Sequence, residues 1–308
     1  MTNPPEIGPF ESADEVPCPA VGEQTTCAHT VGDTDAAVYF TPSAAHLERP
    51  SDTVTFTLHN ESGRQFGMNP YAWTVMQRIP GGWRHVAPSI YPEPWTTVNS
   101  GDAFEWSFGF GDIELSGDRM GDTVHLDHLG PGTYAFFVSG LLGEDGERSV
   151  TALLPFTVTG DPLALTPGDV TSVERRGDTL VVTTRRGATT DHPATVELSR
   201  VEGVENPGTL LTEHAIGVHP IRNGLPYLVD DESLGAVRVA TTGAAVSTVE
   251  MRLASAFRDP TTDRDGPPAE RAYRYAGTTF VTTVDDEPDD TTTGTEKTIQ
   301  PTPTTRRE

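Results

Sequence analysis

The stretch from Thr53 to Phe108 constrains the fold more than any other part of the chain. It begins with a strict alternation that places Val54, Phe56 and Leu58 on one side and threonines on the other. Such alternation is typical of a β-strand with one buried and one solvent-exposed face. Aromatic and aliphatic residues with similar spacing follow between glycine-containing turns: Tyr71, Trp73, Val75, Trp83, Phe104, Trp106 and Phe108. The stretch therefore predicts the centre of an antiparallel β-sandwich.

Further alternating segments at Ala36–Phe40, Tyr134–Val138 and Val150–Val158 bring the total to about seven predicted strands, which an immunoglobulin-like sandwich requires. Residues 36–158 resemble the immunoglobulin-like domains of secreted and envelope proteins of bacteria and archaea. The resemblance depends on the strand ending at Asn60 and Ser62, and on Tyr71, Gly82-Trp83, Ser100-Gly101, Trp106 and Pro131-Gly132-x-Tyr134.

This resemblance implies an immunoglobulin-like β-sandwich over residues 36–160. It also implies a tyrosine corner, in which the hydroxyl of Tyr134 bonds to the backbone a few residues upstream. Domains of this family are usually spacers or binding modules, and the family offers no catalytic residues to carry over.

A second domain is predicted over residues 168–285, after a boundary rich in proline and glycine. The turn Arg176-Gly177-Asp178 predicts a hairpin, and residues 246–257 fit a strand or a helix. The expected class is β-rich α+β with one or two helices, from a short helix in Pro220–Asp231 and strands at Thr195–Val201, Leu210–Ile216 and Ala236–Thr241. Residues 1–35 are predicted to form an irregular arm, and residues 286–308 a disordered Thr/Asp/Pro-rich tail.

The charge balance restricts the partners. The chain carries a net charge of −24, and Lys297 is its only lysine. Such a surface repels the phosphates of nucleic acids and anionic lipids, so neither is expected as a partner. Strong acidity with almost no lysine fits a protein that works in high salt, where carboxylate repulsion is screened. A general preference for arginine in an ordinary acidic protein is the alternative.

Two cysteines, Cys18 and Cys27, lie in a proline-rich part of the N-terminal arm. A disulfide between them would fit an extracytoplasmic setting, and two free thiols are the alternative. Residues 1–20 lack the basic start and apolar run of a leader, and no segment is long enough to span a membrane. A location outside the cytoplasm or at the cell surface is favoured, with a cytoplasmic location as the alternative.

Two clusters contain residue types that bind metals. His125, Asp127 and His128 suit a transition metal, but in an extended chain His128 points away from the other two. Asp263 and Asp265 lie in an acidic Gly-Pro segment whose register misses the carboxylates that a calcium loop needs. Solvated loop residues are the simpler interpretation of both clusters, and no metal or other cofactor is predicted.

Asn60-Glu61-Ser62 is an acceptor sequence for N-glycosylation at Asn60. Its position at a predicted turn also fits local hydrogen bonding by Asn60 and Ser62, and the two roles are compatible. His214 and His219 flank a short apolar run and are expected at strand ends.

The sequence contains no nucleophile elbow, zinc-protease motif or phosphate-binding loop, so no catalytic residue is predicted. The leading hypothesis is a non-enzymatic binding or structural module of the cell envelope, with an unidentified protein or glycan partner and an unknown oligomeric state. Its expected contact surface is the apolar groups of Ala87–Asp102 and Gly109–His128. One alternative is an accessory domain attached to a hydrolase or carbohydrate-active domain in 168–285, and a weaker one is a cytoplasmic partner protein.

Overall fold

In the described part of the chain, the computed structural model has two large hydrophobic cores, one within residues 38–158 and one within residues 180–280, and a smaller apolar cluster on the outer face of the first unit. The structure describes residues 18, 19, 21, 25–27, 37–49, 52–80, 82–88, 90–110, 121–126, 128–143, 148–256 and 272–286. Most of the predicted N-terminal arm and nearly all of the predicted tail lie outside these residues, as do Asp127, Asp263 and Asp265.

The first core belongs to eleven strands: β1 (Thr25–Cys27), β2 (Val38–Pro42), β3 (His46–Glu48), β4 (Thr53–Asn60), β5 (Phe66–Ile79), β6 (Gly82–Ala87), β7 (Thr96–Val98), β8 (Ala103–Gly109), β9 (Thr123–His125), β10 (Gly132–Leu142) and β11 (Arg148–Thr159). The second core belongs to β12 (Val170–Arg176), β13 (Thr179–Thr184), α1 (Arg185–Thr189), β14 (Pro193–Arg200), β15 (Gly208–Thr209), α2 (Thr212–Gly217), α3 (His219–Asp230), β16 (Ala236–Thr242), α4 (Gly243–Ala256), β17 (Tyr273–Tyr275) and β18 (Thr278–Asp286).

The first eleven strands form a β-sandwich of two sheets. One sheet has the order β1-β11-β10-β5-β6, with β3 also beside β11 and β7 also beside β5. The other has the order β2-β4-β8-β9. Most pairs are antiparallel, and the parallel pairs are the short ones that β1 and β3 make with β11 and that β9 makes with β8.

Four of the aromatic residues singled out in the sequence, Trp73, Phe104, Trp106 and Phe108, lie between the sheets, whereas Trp83 packs on the outer face of the larger sheet. Phe56, Trp73 and Trp106 are buried, and the rings of Phe56 and Trp106 have centroids 5.0 and 5.7 Å from that of Phe136. The indole N–H of Trp106 donates to the carbonyl of Pro70 at 3.0 Å, which satisfies its polar group inside the core. The mainly β class and the predicted sandwich are therefore confirmed.

A short N-terminal segment covers part of the outer face of the larger sheet. Cys18 and Cys27 are joined in a disulfide, and β1 adds in parallel to the edge of β11. Val21 and Cys27 pack on the outward side chains of Met76, Phe137 and Leu153, together with Ala135 and the half-buried Trp83. The segment thus removes apolar surface from water on a face that a simple sandwich would leave bare.

The second core lies between a seven-stranded sheet and helices. The sheet order is β12-β13-β16-β14-β18-β17-β15, and it mixes parallel and antiparallel pairs. Helices α3 and α4 pack on β14 and β16. Gly224 permits the close approach of α3, because a Cβ there would lie 2.6 Å from the Val239 side chain. This arrangement confirms the β-rich α+β class.

Four sequence predictions need correction. Leu210–Ile216, predicted as a strand, contains the helix α2, and His214 and His219 lie in α2 and α3 rather than at strand ends. The region 168–285 has four helices among its described residues, not one or two. The predicted loop 109–128 includes the strand β9, which pairs with β8. Short apolar runs fit either period, and tertiary packing decides between them.

Two adjacent residues of α2 connect the second unit to the sandwich. Oε1 of the buried Glu213 accepts a hydrogen bond from the backbone N–H of Gly130 at 3.0 Å. His214 is also buried, and its Nε2 lies 2.7 Å from the carbonyl oxygen of His85 on β6. Helix α4 contacts β6 as well. The buried Glu213 carboxylate and His214 imidazole each have a hydrogen-bond partner on the sandwich, so the contact is a specific one.

Among the residues that the structure describes, no helix combines the length and apolar character needed to cross a bilayer.

Candidate functional site

The most exposed large apolar side chains of the described residues lie in the predicted Ala87–Asp102 loop. Ile90 is 64% exposed and Trp95 is 62% exposed. The loop runs along the edge of the larger sheet, from the end of β6 to the start of β7, and both strands pair with β5. Tryptophan side chains are mostly buried in folded proteins, so an exposed tryptophan on a short, anchored loop is unusual.

The loop is attached to the sheet through Asn69 of β5. The Nδ2 group of Asn69 donates to the carbonyl of Pro92 at 2.7 Å, and its Oδ1 accepts from the backbone N–H of Tyr71 at 2.9 Å. Pro92 and Pro94 further restrict the backbone just before Trp95. The indole is therefore presented from a restrained backbone.

The ring of Trp95 lies directly over Gly67 of β5. A Cβ at Gly67 would be 2.5 Å from Cζ2, 2.8 Å from Cε2 and 2.9 Å from Nε1 of the indole. Only glycine leaves room for the ring at that position, because real Cβ atoms do not approach so closely. The Nε1–Cε2–Cζ2 part of the indole thus rests on the sheet, and the rest of the side chain is exposed.

Trp95 lines an open cleft of about 700 Å³ at this edge of the sandwich. The volume lies in the range of small-molecule sites, roughly 300–1,000 Å³. The cleft lies between the β7 edge of the larger sheet and the start of β8, and it is lined by Pro70, Pro94, Trp95, Thr96, Thr97, Val98, Asn99, Asp102, Ala103 and Phe104.

Asn99 and Asp102 provide a polar rim to the cleft. Asn99 Nδ2 donates to Oδ2 of Asp102 at 3.1 Å, and Asn99 Oδ1 accepts from Nε2 of Gln65 at 3.4 Å. Both rim residues are solvent-exposed. Their amide and carboxylate groups can therefore exchange these bonds for bonds to a ligand.

Asn60 holds the turn that carries this rim. Its backbone N–H and carbonyl bond to Asp102 and Gly101 at 3.1 and 2.7 Å. Its fully buried side chain donates from Nδ2 to the carbonyls of Arg64 and Val98, both at 2.8 Å. The turn-bonding role considered for Asn60 is thus present. Glycosylation of Asn60 stays a prediction. In the folded protein, a sugar attached to Nδ2 would replace one of the two hydrogens that this nitrogen donates to the carbonyls of Arg64 and Val98.

Of the candidate metal ligands, His125 and His128 lie within the described residues. His125 ends β9 with an exposed side chain, His128 is half-buried, and Asp127 lies outside the described residues. Within the described ranges, no group of three His, Cys, Asp or Glu side chains could hold a metal ion. Asp263 and Asp265 also lie outside those ranges, so the structure says nothing about a cation site there.

Asp169 and His219 form a second polar pair, in the second unit. Oδ2 of Asp169 lies 3.1 Å from Nε2 of His219, and Oδ1 lies 3.8 Å from Nε of Arg185. Desolvation alone would raise the pKa of Asp169, but the bonds from His219 and the Arg186 backbone outweigh it and keep that pKa below its usual value.

A hydrolytic role for this pair would need a nucleophile within hydrogen-bond reach of the imidazole. The other ring nitrogen of His219, Nδ1, is buried and makes no hydrogen bond in the described part of the chain. Asn223 of α3 accepts bonds from the backbone N–H groups of Gly168 and Asp169 at 2.9 and 3.2 Å. These contacts fit a structural connection between the linker and α3.

The sequence pointed to the loop that carries the cleft but not to the residues that build it. The contact of Trp95 with Gly67 joins residues 28 positions apart in the sequence, and no local pattern encodes it. The one signal available in the sequence was Trp95 directly after Pro94 and outside any alternating run.

No protein-family model matches the chain, and no curated protein does. Among solved structures, the crystal structure of red sea bream transglutaminase is 10% identical, with a TM-score of 0.24. The match covers 55% of this chain and 23% of the transglutaminase, so this chain spans under a quarter of that protein. A likeness this low supports no inference about activity.

Proposed function

We propose that this protein is a non-enzymatic binding module of the cell envelope or exterior of a halophile, and that it contacts its partner through the cleft beside Trp95. The observation that carries the proposal is the indole of Trp95, 62% exposed and held against Gly67. Exposed aromatic side chains on a restrained backbone are the usual anchors of binding surfaces, because little conformational entropy is lost when a partner covers them.

The join between the two units supports a positioning role. Glu213 and His214 pair with Gly130 and His85 at 3.0 and 2.7 Å. An interface with buried, paired polar groups resists sliding, because each group would lose its partner. A partner bound at the cleft would then be held in a defined orientation relative to the second unit.

The exterior and halophilic parts of the proposal rest on the covalent and charge properties of the chain. A disulfide between Cys18 and Cys27 fits an oxidising setting. The net charge of −24 favours solubility in concentrated salt, where repulsion between carboxylates is screened. The halophilic part is tested by thermal unfolding: the melting temperature should rise steadily between about 0.2 M and about 3 M KCl, as the Debye length shrinks to a few ångströms. A melting temperature that does not change with KCl concentration would contradict the halophilic part of the proposal.

The binding role is tested by sedimentation of the purified full-length chain with cell envelopes of the source organism, in high salt. We expect the wild-type protein to sediment with the envelopes and Trp95→Ala to remain largely in the supernatant. Ile90→Ala is the matched control, because Ile90 is equally exposed in the same loop but does not line the cleft. Equal sedimentation of wild type and Trp95→Ala, or none by wild type, would contradict the proposal.

A further inference from the structure

We infer that the cleft beside Trp95 binds the pyranose rings of a neutral glycan. The inference rests on the proposed binding function and names the chemical class of its ligand. The cleft combines an open aromatic surface, a rim of hydrogen-bonding side chains and no positive charge.

The indole surface suits one face of a sugar ring. A pyranose presents a face of C–H groups, which are apolar and carry a small positive charge. An aromatic ring has a negative face and buries apolar area efficiently. Gly67 supports the Nε1–Cε2–Cζ2 part of the Trp95 ring, and the exposed rest of the ring is the surface that a sugar would cover.

The rim supplies partners for sugar hydroxyls. Thr97 pairs with Gly67 across β7 and β5, so both residues point to the outer face of the sheet, and the Thr97 hydroxyl stands on the side that carries the indole. Asn99 and Asp102 lie on the adjoining turn and line the same cleft. Hydroxyls both donate and accept, so a threonine hydroxyl, an amide and a carboxylate can all bond to them.

The charge of the cleft disfavours anionic ligands, including those that can stack on tryptophan. No Lys or Arg is among its described lining residues, and Asp102 contributes a carboxylate. Uronic acids and sulfated sugars would place a like charge beside the Asp102 carboxylate, and at contact distance high salt screens that repulsion least. Single-stranded nucleic acid also stacks on aromatic rings, but it requires a basic groove for its phosphates, which is missing here.

The size of the cleft sets the length of the ligand. At about 700 Å³ it has room for a short stretch of sugar units and is open rather than enclosed. A site of this kind can bind an internal segment of a long polysaccharide chain as well as a free oligosaccharide.

The first test is a glycan array that carries neutral and uronic-acid oligosaccharides, probed in high salt with the full-length, disulfide-intact protein. We expect binding to neutral glycans and more than about tenfold weaker binding by Trp95→Ala, as for an anchoring tryptophan. Gly67→Ala should weaken binding similarly, because its methyl group displaces the ring while leaving the tryptophan in the chain. Ile90→Ala should bind as wild type does.

Failure of Gly67→Ala to fold would leave Trp95→Ala to decide the test, since that side chain is mostly exposed. The inference is overturned by an array on which no neutral glycan is bound, by binding to uronic-acid glycans alone, or by neutral-glycan binding that Trp95→Ala leaves unchanged.

A second test separates this inference from the proposed function. Envelopes are treated either with periodate, which cleaves sugar diols, or with a protease, before the sedimentation assay. Loss of Trp95-dependent sedimentation after periodate but not after protease supports a glycan. The reverse result overturns the glycan and leaves the proposed function with a protein partner. Wild-type protein that never sediments with untreated envelopes contradicts the proposed function itself.

Discussion

The hydroxyl of Tyr134 lies 3.0 Å from Oε1 of Glu213, and this contact joins β10 of the sandwich to α2 of the second unit. The same hydroxyl lies 2.8 Å from the carbonyl oxygen of Gly130, four residues upstream. Gln77 donates to it at 2.9 Å. The tyrosine corner implied by the immunoglobulin-like resemblance is thus also a junction between the two units, so changes at either residue should alter the stability of both.

Glu213→Ala should destabilise the protein by about 2–3 kcal/mol, because the Gly130 N–H loses its acceptor and the Tyr134 hydroxyl loses a partner in a buried site. Glu213→Gln keeps an oxygen acceptor and should cost less. Urea unfolding at neutral pH in high salt measures both free energies.

The matched control for Glu213 is Glu232→Ala, because Glu232 is an exposed glutamate of the same unit and its replacement should change stability by less than about 0.5 kcal/mol. If Glu213→Ala and Glu232→Ala gave the same unfolding midpoint, the contact between the units would contribute nothing to stability.

The protein should lose stability at alkaline pH through Tyr134. Burial, and then the negative charge of Glu213, raise the pKa of Tyr134 above its ordinary value near 10.0. The folded state therefore keeps a proton that the unfolded state releases, so the contribution of Tyr134 to stability is constant below pH 10 and falls above it, by up to about 1.4 kcal/mol per pH unit. Unfolding midpoints measured between pH 8 and pH 11 should fall for wild type and fall less for Tyr134→Phe. An equal slope in the two proteins would contradict this.

The protein should also lose stability in acid through His214. Burial lowers the pKa of His214 to about 3; the hydrogen bond to the His85 carbonyl opposes this shift, and the charges of His85 and Arg84 lower the pKa further. Unfolded His214 takes up a proton below pH 6.5, whereas the folded residue stays neutral, so stability falls as pH decreases from about 6.5 towards about 3. The slope from this residue is at most about 1.4 kcal/mol per pH unit. Urea unfolding between pH 4 and pH 7.5 measures it.

His214→Gln should be less stable than wild type at pH 7.5 but should show a shallower loss below pH 6.5. His192→Gln is the matched control, because it makes the same replacement at an exposed histidine of the same unit. A profile for His214→Gln that stays parallel to wild type would show that other groups cause the loss in acid.

The sandwich could be predicted because its determinants are local. In β4 the burial pattern alternates as the sequence does, with Val54, Phe56 and Leu58 inside. The position of Tyr134 also follows from a short motif, Pro131-Gly132-x-Tyr134, that begins one residue after the acceptor Gly130. In both cases the information lies within a few residues of the chain.

The junction and the cleft could not be predicted because their determinants are distant in sequence. In the sequence, nothing distinguishes Glu213 from an ordinary surface glutamate. The structure places it, in α2, against Gly130, which lies 83 residues earlier in the chain. The segment that holds Glu213 and His214 was predicted as a strand, which would have pointed these neighbours to opposite faces. In α2 both are buried at the sandwich, and only tertiary packing establishes that.

Asn60→Ala and Ser62→Ala separate two explanations for the sequence Asn60-Glu61-Ser62. Both variants remove the glycosylation acceptor, but only Asn60→Ala removes the buried bonds to Arg64 and Val98. We expect Asn60→Ala to lose about 2–3 kcal/mol, since two buried carbonyls lose their donor, and Ser62→Ala to lose under about 1 kcal/mol. Urea unfolding of protein from the source organism measures both, and intact-mass spectrometry reports any glycan. Equal losses in the two variants, with a glycan on the wild-type protein, would show that the sugar and not the buried amide determines the effect.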